Sequence, residues 1–259
     1  MPSTGDEVAA LATTMNHLLD RLQKALERDR RFMADAGHEL RTPLAILRAE
    51  LELGMRPGRD QAALHSAIVE ASRETERLIR LAEDLLLLAR ADNHQPILQL
   101  RPTKLSQLLA TAAHRGRARD RVPLVEIECP DDLELTVDPD RLLQAVNNLL
   151  DNAILHTPPG TPVRLSAADD HTGHVTIEVE DAGPGLPPEF LPHALERFRR
   201  AEHSRSRDTG GTGLGLSIVE AIAHAHGGTV DITNATIGAR ATLRLPHCAA
   251  AKTEPAHRH

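Results

Sequence analysis

The sequence predicts a chain in two parts, a helical hairpin followed by an α/β sandwich, and three observations carry that prediction. Apolar residues recur every three or four positions between Val8 and Ala89, composition shifts after Asn93-His-Gln-Pro96, and beyond residue 101 short alternating strands mix with helices. A length of 259 residues accommodates one large or two modest domains. Lys and Arg number 30 against 37 Asp and Glu, a net charge of −7 that offers no basic field to nucleic acid. Three Phe with no Tyr or Trp leave few platforms for stacking bases. No stretch approaches the ~18 apolar residues of a membrane span. The two cysteines, Cys129 and Cys248, make neither a disulfide framework nor metal-ligand spacing, which fits a reducing compartment. The opening Met1-Pro-Ser-Thr-Gly lacks the charged-then-apolar pattern of a signal peptide.

In the first part, Val8, Leu11, Met15, Leu18, Leu22 and Ala25 alternate by three and four, a heptad seam that predicts a coiled-coil input helix. The alternative is one amphipathic helix packed on a monomer's core. Leu40, Leu44, Leu47 and Leu51 continue the stripe until Met55-Arg-Pro-Gly-Arg-Asp60 supplies a turn. In the second helix Leu64, Ile68, Ala71, Thr75, Leu78, Ala82, Leu85 and Ala89 keep the spacing, and Leu81, Leu86 and Leu88 broaden it. Two such helices cannot bury both apolar faces alone, so two hairpins are expected to pair into a dimeric four-helix bundle.

In the second part, residues 124–128 and 133–137 read as strands. Asp138-Pro139, a cap with proline at the first helical position, opens a helix through His156. Residues 163–167 and 175–180 alternate as strands, the latter running into Asp181-Ala-Gly-Pro-Gly185. An arginine-rich stretch over 196–209 has no periodicity and reads as a mobile lid. Gly211-Thr-Gly-Leu-Gly-Leu216 opens a helix to His226, Gly227-Gly228 stops it, and residues 230–232 and 241–245 complete the sandwich. The polar tail 249–259 reads as disordered.

Four motifs carry chemistry. His38-Glu-Leu-Arg-Thr-Pro-Leu44 lies on the first helix, with His38 and Thr42 on one face and Glu39 beside the imidazole. Neutral imidazole is a usable nucleophile, and the adjacent carboxylate can take its other proton. Pro43 removes the amide that would reach the Glu39 carbonyl, so a bend exposing His38 is expected. Asn148 and Asn152 share a helical face, from which amide oxygens can reach a hard cation such as Mg²⁺ bridging phosphates; an Asn pair at this spacing is more often a cap or a surface pair. Asp181 with Gly183 and Gly185 offers a carboxylate to an exocyclic amine such as adenine's, or is simply an Asp-Gly turn. Gly211, Gly213 and Gly215 ahead of a helix offer backbone amides to phosphates, without the Gly-Lys-Ser/Thr ending of a P-loop or a Rossmann context.

In this order the motifs resemble those of the sensor histidine kinases of two-component systems. His38-Glu-Leu-Arg-Thr-Pro43 resembles the phosphoacceptor box, residues 148–152 the N box, 181–185 the G1 box, Glu196-Arg-Phe198 the F box and 211–216 the G2 box, over about residues 30–246. Gly5-Asp-Glu-Val-Ala-Ala-Leu-Ala and Asn16-His-Leu-Leu-Asp-Arg-Leu22 are similar to the second helix and connector of a HAMP relay module. The resemblance implies a partial HAMP helix and connector (1–27), a dimerisation and histidine phosphotransfer domain (28–97), a GHKL-type (Bergerat) ATP-binding domain (98–248) and a tail (249–259).

It further implies ATP held with Asp181 on the adenine amine and Asn148 and Asn152 around Mg²⁺. His156, Gly183, Gly185, Gly211, Thr212, Gly213, Leu214, Gly215 and Leu216 would shape the pocket, with Arg200 approaching the γ-phosphate. His38 would attack that phosphate with help from Glu39, and the phosphoryl group would pass to an aspartate on a response regulator receiver domain. Thr42 matches the position that orients water in the family's phosphatase reaction. The implied protein is a homodimer that binds no nucleic acid. It is cytoplasmic as given and reaches the inner membrane only through a sensor region outside this chain. Phosphoryl transfer asks mainly for positioning and a metal, which such a pair of domains supplies.

Four positions depart from the family pattern. Leu155 stands where a basic residue is usual, Leu195 where the F box begins with Phe, Arg199 for Tyr, and Arg240 at a glycine site. At ~100° per residue Leu155 falls on the flank of Asn148 and Asn152; alternatively it turns into the core while a lid arginine (Arg197, Arg199 or Arg205) supplies the charge. Two other functions compete: a GHKL ATPase that hydrolyses ATP to drive conformational change, whose relatives lack the His38 box, and an inactive scaffold, against which the full set of motif residues argues.

Overall fold

The computed structural model describes residues 4–56, 60–92, 98–117, 125–158, 161–170, 172–200 and 212–247. The tail from 249, Cys248, Leu124, Gly211 and the lid beyond Arg200 lie outside them. Two compact units make up the chain, residues 1–82 and 83–259.

The first unit consists of helix α1 (Thr4–Gly54) and most of helix α2 (Gln61–Asp92). Pro43, expected to bend α1, lies buried inside it, and the helix continues to Gly54. After α1 the chain turns through Met55 N–H to Leu51 C=O at 3.1 Å, and Asp60 caps α2 by accepting the Ala63 N–H at 2.8 Å. The inward line of α2 follows the predicted stripe at Ala71 and at the broadening residues Leu81 and Leu88, and departs from it at Ala67 and Ala82. Ala67, Ala71, Leu81 and Leu88 are buried, whereas Ala82, placed on the stripe by its spacing, is exposed. Turning Leu81 and Leu88 inward removes more apolar area from water than turning Ala82 and Ala89 inward would. Leu11, Met15, Leu18 and Leu22 on α1 and Ile68, Ile79 and Leu86 on α2 each remain more than half exposed, a long apolar line that one chain does not cover. Among the described residues no helix is long and apolar enough to cross a membrane.

In the second unit, strand β1 (Arg101–Lys104) pairs antiparallel with β3 (Glu134–Val137), and helix α3 (Leu105–Arg117) follows β1 directly. Five strands form the main sheet: β2 (Val125–Glu128), β4 (Val163–Asp169), β5 (His174–Glu180), β7 (Ala239–Pro246) and β6 (Thr229–Asn234), in that spatial order. Only the β2–β4 pairing is parallel. Helix α4 (Pro139–His156) lies between β3 and β4 in the chain, and helix α5 (Gly215–Ala225) precedes β6. Alternate residues of the central strands, Val163, Leu165, Ala167, Val175, Ile177, Val179, Leu243 and Leu245, are buried. The apolar faces of the helices complete the core: Leu105, Leu109 and Ala112 of α3, Leu142, Val146, Leu149 and Leu150 of α4, and Ile218, Val219 and Ile222 of α5. The result is the predicted α/β sandwich.

Two side chains fix where α4 begins. Asp138 Oδ1 accepts the N–H groups of Asp140 and Arg141 at 3.1 Å each, and Oδ2 accepts the Gln99 N–H at 3.0 Å. Burial disfavours its charge, but these backbone donors outweigh burial and hold the carboxyl below its ordinary pKa. The buried His226, which follows the last turn of α5, accepts the Asp138 N–H on Nε2 at 3.0 Å and donates from Nδ1 to the Ile222 carbonyl at 2.8 Å. That pattern requires the neutral ring, and burial pushes its pKa down.

The sign of the resulting pH dependence follows. Between the depressed folded pKa and the unfolded value near ~6.5 the unfolded chain binds more protons, so stability is full above that window and is lost as pH falls through it, at up to about 1.4 kcal/mol per pH unit for one proton. Urea midpoints of the second unit should therefore drop between pH 7.5 and 5.5. His226→Ala should cost about 1–3 kcal/mol at pH 7.5, because the buried Asp138 N–H loses its acceptor, and should flatten the pH dependence. An unchanged slope in that variant would remove His226 as its source.

Candidate nucleotide site and phosphoacceptor helix

Helix α4 lays Leu142, Ala145, Val146, Leu149, Leu150 and Ala153 into the core, which leaves Asn148 and Asn152 half-buried on one flank, a turn apart. Asn148 Nδ2 donates to the Gly215 carbonyl at 3.4 Å, tying α4 to the first residue of α5 by its amino group and not its amide oxygen. Leu155 is 42% exposed, so it does not turn into the core. At the end of α4, His156 is half-buried near Asp181. Burial lowers its pKa against the pull of that carboxylate.

Asp181 follows β5 and is buried. Its Oδ1 accepts the Gly183 N–H at 2.8 Å, so one oxygen shapes the Asp-Gly turn and leaves the second outside that bond. Gly183 is required by space, since a Cβ there would lie 2.5 Å from the His156 carbonyl oxygen. Gly185, at φ +75°, backs onto Asn234.

The third wall joins the F and G2 segments. The Phe198 N–H donates to the Gly213 carbonyl at 2.9 Å. Gly213 has φ +73°, and a Cβ on it would sit 2.8 Å from the Phe198 carbonyl carbon. Phe198 itself is left-handed at φ 59°, the single non-glycine of that kind among the described residues. Leu214 is fully buried and serves as an anchor, so the loop can offer a ligand backbone rather than that side chain. Thr212 Oγ1 accepts the Leu214 N–H at 3.4 Å, Leu216 is half-buried, and Gly211 is outside the described residues.

Asn148, Asn152, His156, Asp181, Gly183, Gly185, Gly213 and Gly215 thus come from three segments joined by direct contacts or by one helical face. Arg200 is half-buried after the F segment. Arg199 is engaged within that segment, donating to Glu196 Oε2 at 2.8 Å, and the Glu196 carboxyl, bonded to His193 and then to Arg199, is held below its ordinary pKa. In the first unit, His38 and Thr42 are exposed and Glu39 half-exposed on α1, and the Thr42 hydroxyl makes a long 3.5 Å contact to the His38 carbonyl.

Comparison with known families matches residues 28–94 to the His Kinase A (phospho-acceptor) domain and residues 137–248 to the histidine kinase-, DNA gyrase B- and HSP90-like ATPase. The chain belongs to the sensor histidine kinases of two-component systems. Among its relatives, the probable sensor histidine kinase TcrY of Mycobacterium tuberculosis is 41% identical over 254 residues, covering 95% of this chain and 52% of that protein. The signal transduction histidine-protein kinase BaeS of Escherichia coli is 37% identical over 249 residues, with 95% and 52% covered. The chain therefore spans about half the length of these relatives. Acinetobacter baumannii histidine kinase AdeS superposes with a TM-score of 0.64 at 25% identity, over 81% of this chain and 98% of that one. Full-length ShkA, solved in complex with AMPPNP, superposes with a TM-score of 0.56 at 26% identity, over 84% and 45%.

Arg240, one of the departures from the family pattern, acquires a local explanation. Arg240 lies directly opposite Glu180 and donates to its carboxylate at 2.8 and 3.0 Å, a cross-strand ion pair. The glycine that the last hairpin needs is instead Gly238, at φ +78°, where a Cβ would fall 1.9 Å from the Asp181 carbonyl oxygen. Gly238 and Asn234 were not singled out by sequence reasoning. The Asn234-Ala-Thr-Ile-Gly238 run between two strands, ending on glycine, is the turn signal that marks them.

A paired substitution separates backbone strain from steric closure. Gly173, at φ +85°, has nothing within 4 Å of an added Cβ. Gly173→Ala should cost about 1–2 kcal/mol of unfolding free energy, the left-handed penalty alone. Gly238→Ala should cost more than about 3 kcal/mol, because backbone must move as well. Equal losses in urea titrations would remove the contact with Asp181 as the reason for Gly238.

Proposed function

We propose that this chain is an ATP-dependent protein-histidine kinase that phosphorylates its own His38 and passes the phosphoryl group to an aspartate on a response regulator. The observation that carries the reading is the buried Asp181 carboxylate, with one oxygen fixed on the Gly183 N–H, in a loop whose Gly183 lies against the His156 carbonyl at the end of the helix that carries Asn148 and Asn152; the second oxygen would meet the adenine amine. The AMPPNP bound to its structural relative ShkA supports the same ligand class. The Asn pair fits Mg²⁺: these are hard oxygen donors on one face, and the Asn148 amino group is already held by Gly215. When bound, the cation screens the phosphate charge. The residues do the rest. An imidazole nitrogen of His38 bonds to the γ-phosphorus as the bond to the bridging oxygen breaks and ADP leaves. Glu39 takes the imidazole proton, and Arg200 faces the phosphate charge. In transfer, the N–P bond gives way to an acyl phosphate on the receiver aspartate, and for dephosphorylation Thr42 orients the attacking water.

Exposed Ile68, Ile79 and Leu86 support a homodimer through the helical hairpin, residues 28–97, and exposed Leu11, Met15, Leu18 and Leu22 support the same pairing along residues 1–27, the connector of a HAMP module, with residues 98–248 as the ATP-binding domain. This chain would work on the cytoplasmic side of an inner membrane reached through a sensor region outside it.

Incubation of the purified chain with MgATP labelled at the γ-phosphate should give protein-bound label that survives base and is lost in acid. His38→Ala should abolish the label while leaving ATP binding within about twofold, and Asp181→Asn should weaken ATP binding at least tenfold, since an acceptor becomes a donor. Label persisting on His38→Ala would move the phosphoacceptor elsewhere. Thr42→Ala should keep autophosphorylation yet lose phosphatase activity toward a phosphorylated receiver domain; equal loss of both would make Thr42 a support for the helix.

A further inference from the structure

The hairpin between β6 and β7 supplies a side chain that no motif of the nucleotide site contains. Asn234, the last residue of β6, donates from Nδ2 to the Leu186 carbonyl at 2.8 Å and accepts the Leu186 N–H on Oδ1 at 2.8 Å. One amide group thereby reproduces both hydrogen bonds of an antiparallel strand pair, across 48 residues of sequence. The loop it grips is the one that follows Asp181. A Cβ at Gly185, immediately before Leu186, would come within 2.9 Å of Asn234 Oδ1 and 3.2 Å of the Gly238 carbonyl oxygen. The other end of the hairpin closes on the other end of the loop: the Asp181 N–H donates to the Ala239 carbonyl at 3.0 Å, and Gly238 lies flush against the Asp181 carbonyl. Residues 181–186 are therefore held at both ends by the same hairpin, by backbone at Asp181 and by the Asn234 side chain at Leu186.

We propose that Asn234 is a positioning residue for base recognition, holding the loop 181–186 so that the Asp181 carboxylate meets an exocyclic amine. The inference rests on the ATP-binding reading and deepens it. The phosphate end of the nucleotide would lie against α4 and the glycine loop before α5, neither of which Asn234 touches, so its loss should be felt at the base and not along the phosphates. A neutral side chain of this shape is needed, because both a donor and an acceptor are used. Aspartate keeps the acceptor but sets a second oxygen against the Leu186 carbonyl.

The test compares ATP with inosine triphosphate, which carries a carbonyl where adenine carries its amine, in calorimetric titrations of the full chain with Mg²⁺. Wild type should prefer ATP. Asn234→Ala should weaken ATP binding about tenfold while changing inosine triphosphate affinity less than twofold, so that the preference collapses, and Asn234→Asp should weaken ATP binding further. Equal weakening toward both nucleotides together with a lower melting temperature would make Asn234 a fold-stabilising residue and overturn the proposal. Unchanged ATP affinity in both variants would overturn it as well. Wild-type protein that binds neither nucleotide would instead refute the ATP-binding reading and take this inference down with it, an outcome distinct from the other two.

Discussion

Asp138 spends its two carboxylate oxygens on three backbone N–H groups, those of Gln99, Asp140 and Arg141, while its own N–H is taken by His226. Through that one residue the segment leading to β1, the start of α4 and the end of α5 are locked to each other. The consequence reaches the site because a helix is a rigid ruler. Once the first turn of α4 is fixed, the direction in which Asn148 and Asn152 project is fixed too, and the contact from Asn148 to Gly215 closes the circuit at the other end of α5. The two helices could pack against the sheet at other rotations with similar apolar burial. A polar bond with strict geometry selects one of them.

The walls of the site are built mostly from main chain. Gly183 lies against the His156 carbonyl, Gly213 against Phe198 and Gly238 against Asp181, so three segments far apart in sequence approach one another at distances that a single methyl would forbid. Side chains then do limited, specific tasks: Asp181 shapes its own turn and retains an oxygen, Asn148 ties two helices, and Asn234 substitutes for a strand. Arg199, which looks available in the sequence beside the F segment, is engaged by Glu196.

Much of this was legible in the sequence where the signal is local. The Asp138-Pro139 cap, the helix to His156, the strands around residues 165, 177 and 243 and the stop at Gly227 all follow from periodicity and turn chemistry, whereas α3 was not assigned from the sequence although Leu105, Leu108, Leu109, Ala112 and Ala113 carry the same spacing. Strand β1 is four residues with a proline, too short to show alternation. On α2 the predicted stripe contained Ala71, Leu81 and Leu88 but also Ala82, and missed Ala67, because apolar residues stand on adjacent lines of the helix and spacing alone does not rank Leu81 above Ala82. Gly238, Asn234 and Arg240 were obscure for a different reason. Their partners lie roughly fifty residues away, and only the register that sets Glu180 opposite Arg240 brings them together. The site's motif residues were found because they cluster in sequence; the hairpin that holds them does not.

Pro43 has a mechanical consequence. With a rise of about 1.5 Å per residue, the 51 residues of α1 form a rod of roughly 75 Å whose bending stiffness comes from its ladder of backbone hydrogen bonds. Pro43 deletes the rung at the Glu39 carbonyl, one residue from His38, and so makes that point the most compliant along the rod. Curvature imposed anywhere on α1 therefore collects beside the His38 imidazole, and a small displacement far along the helix is converted into a change of tilt at that one side chain.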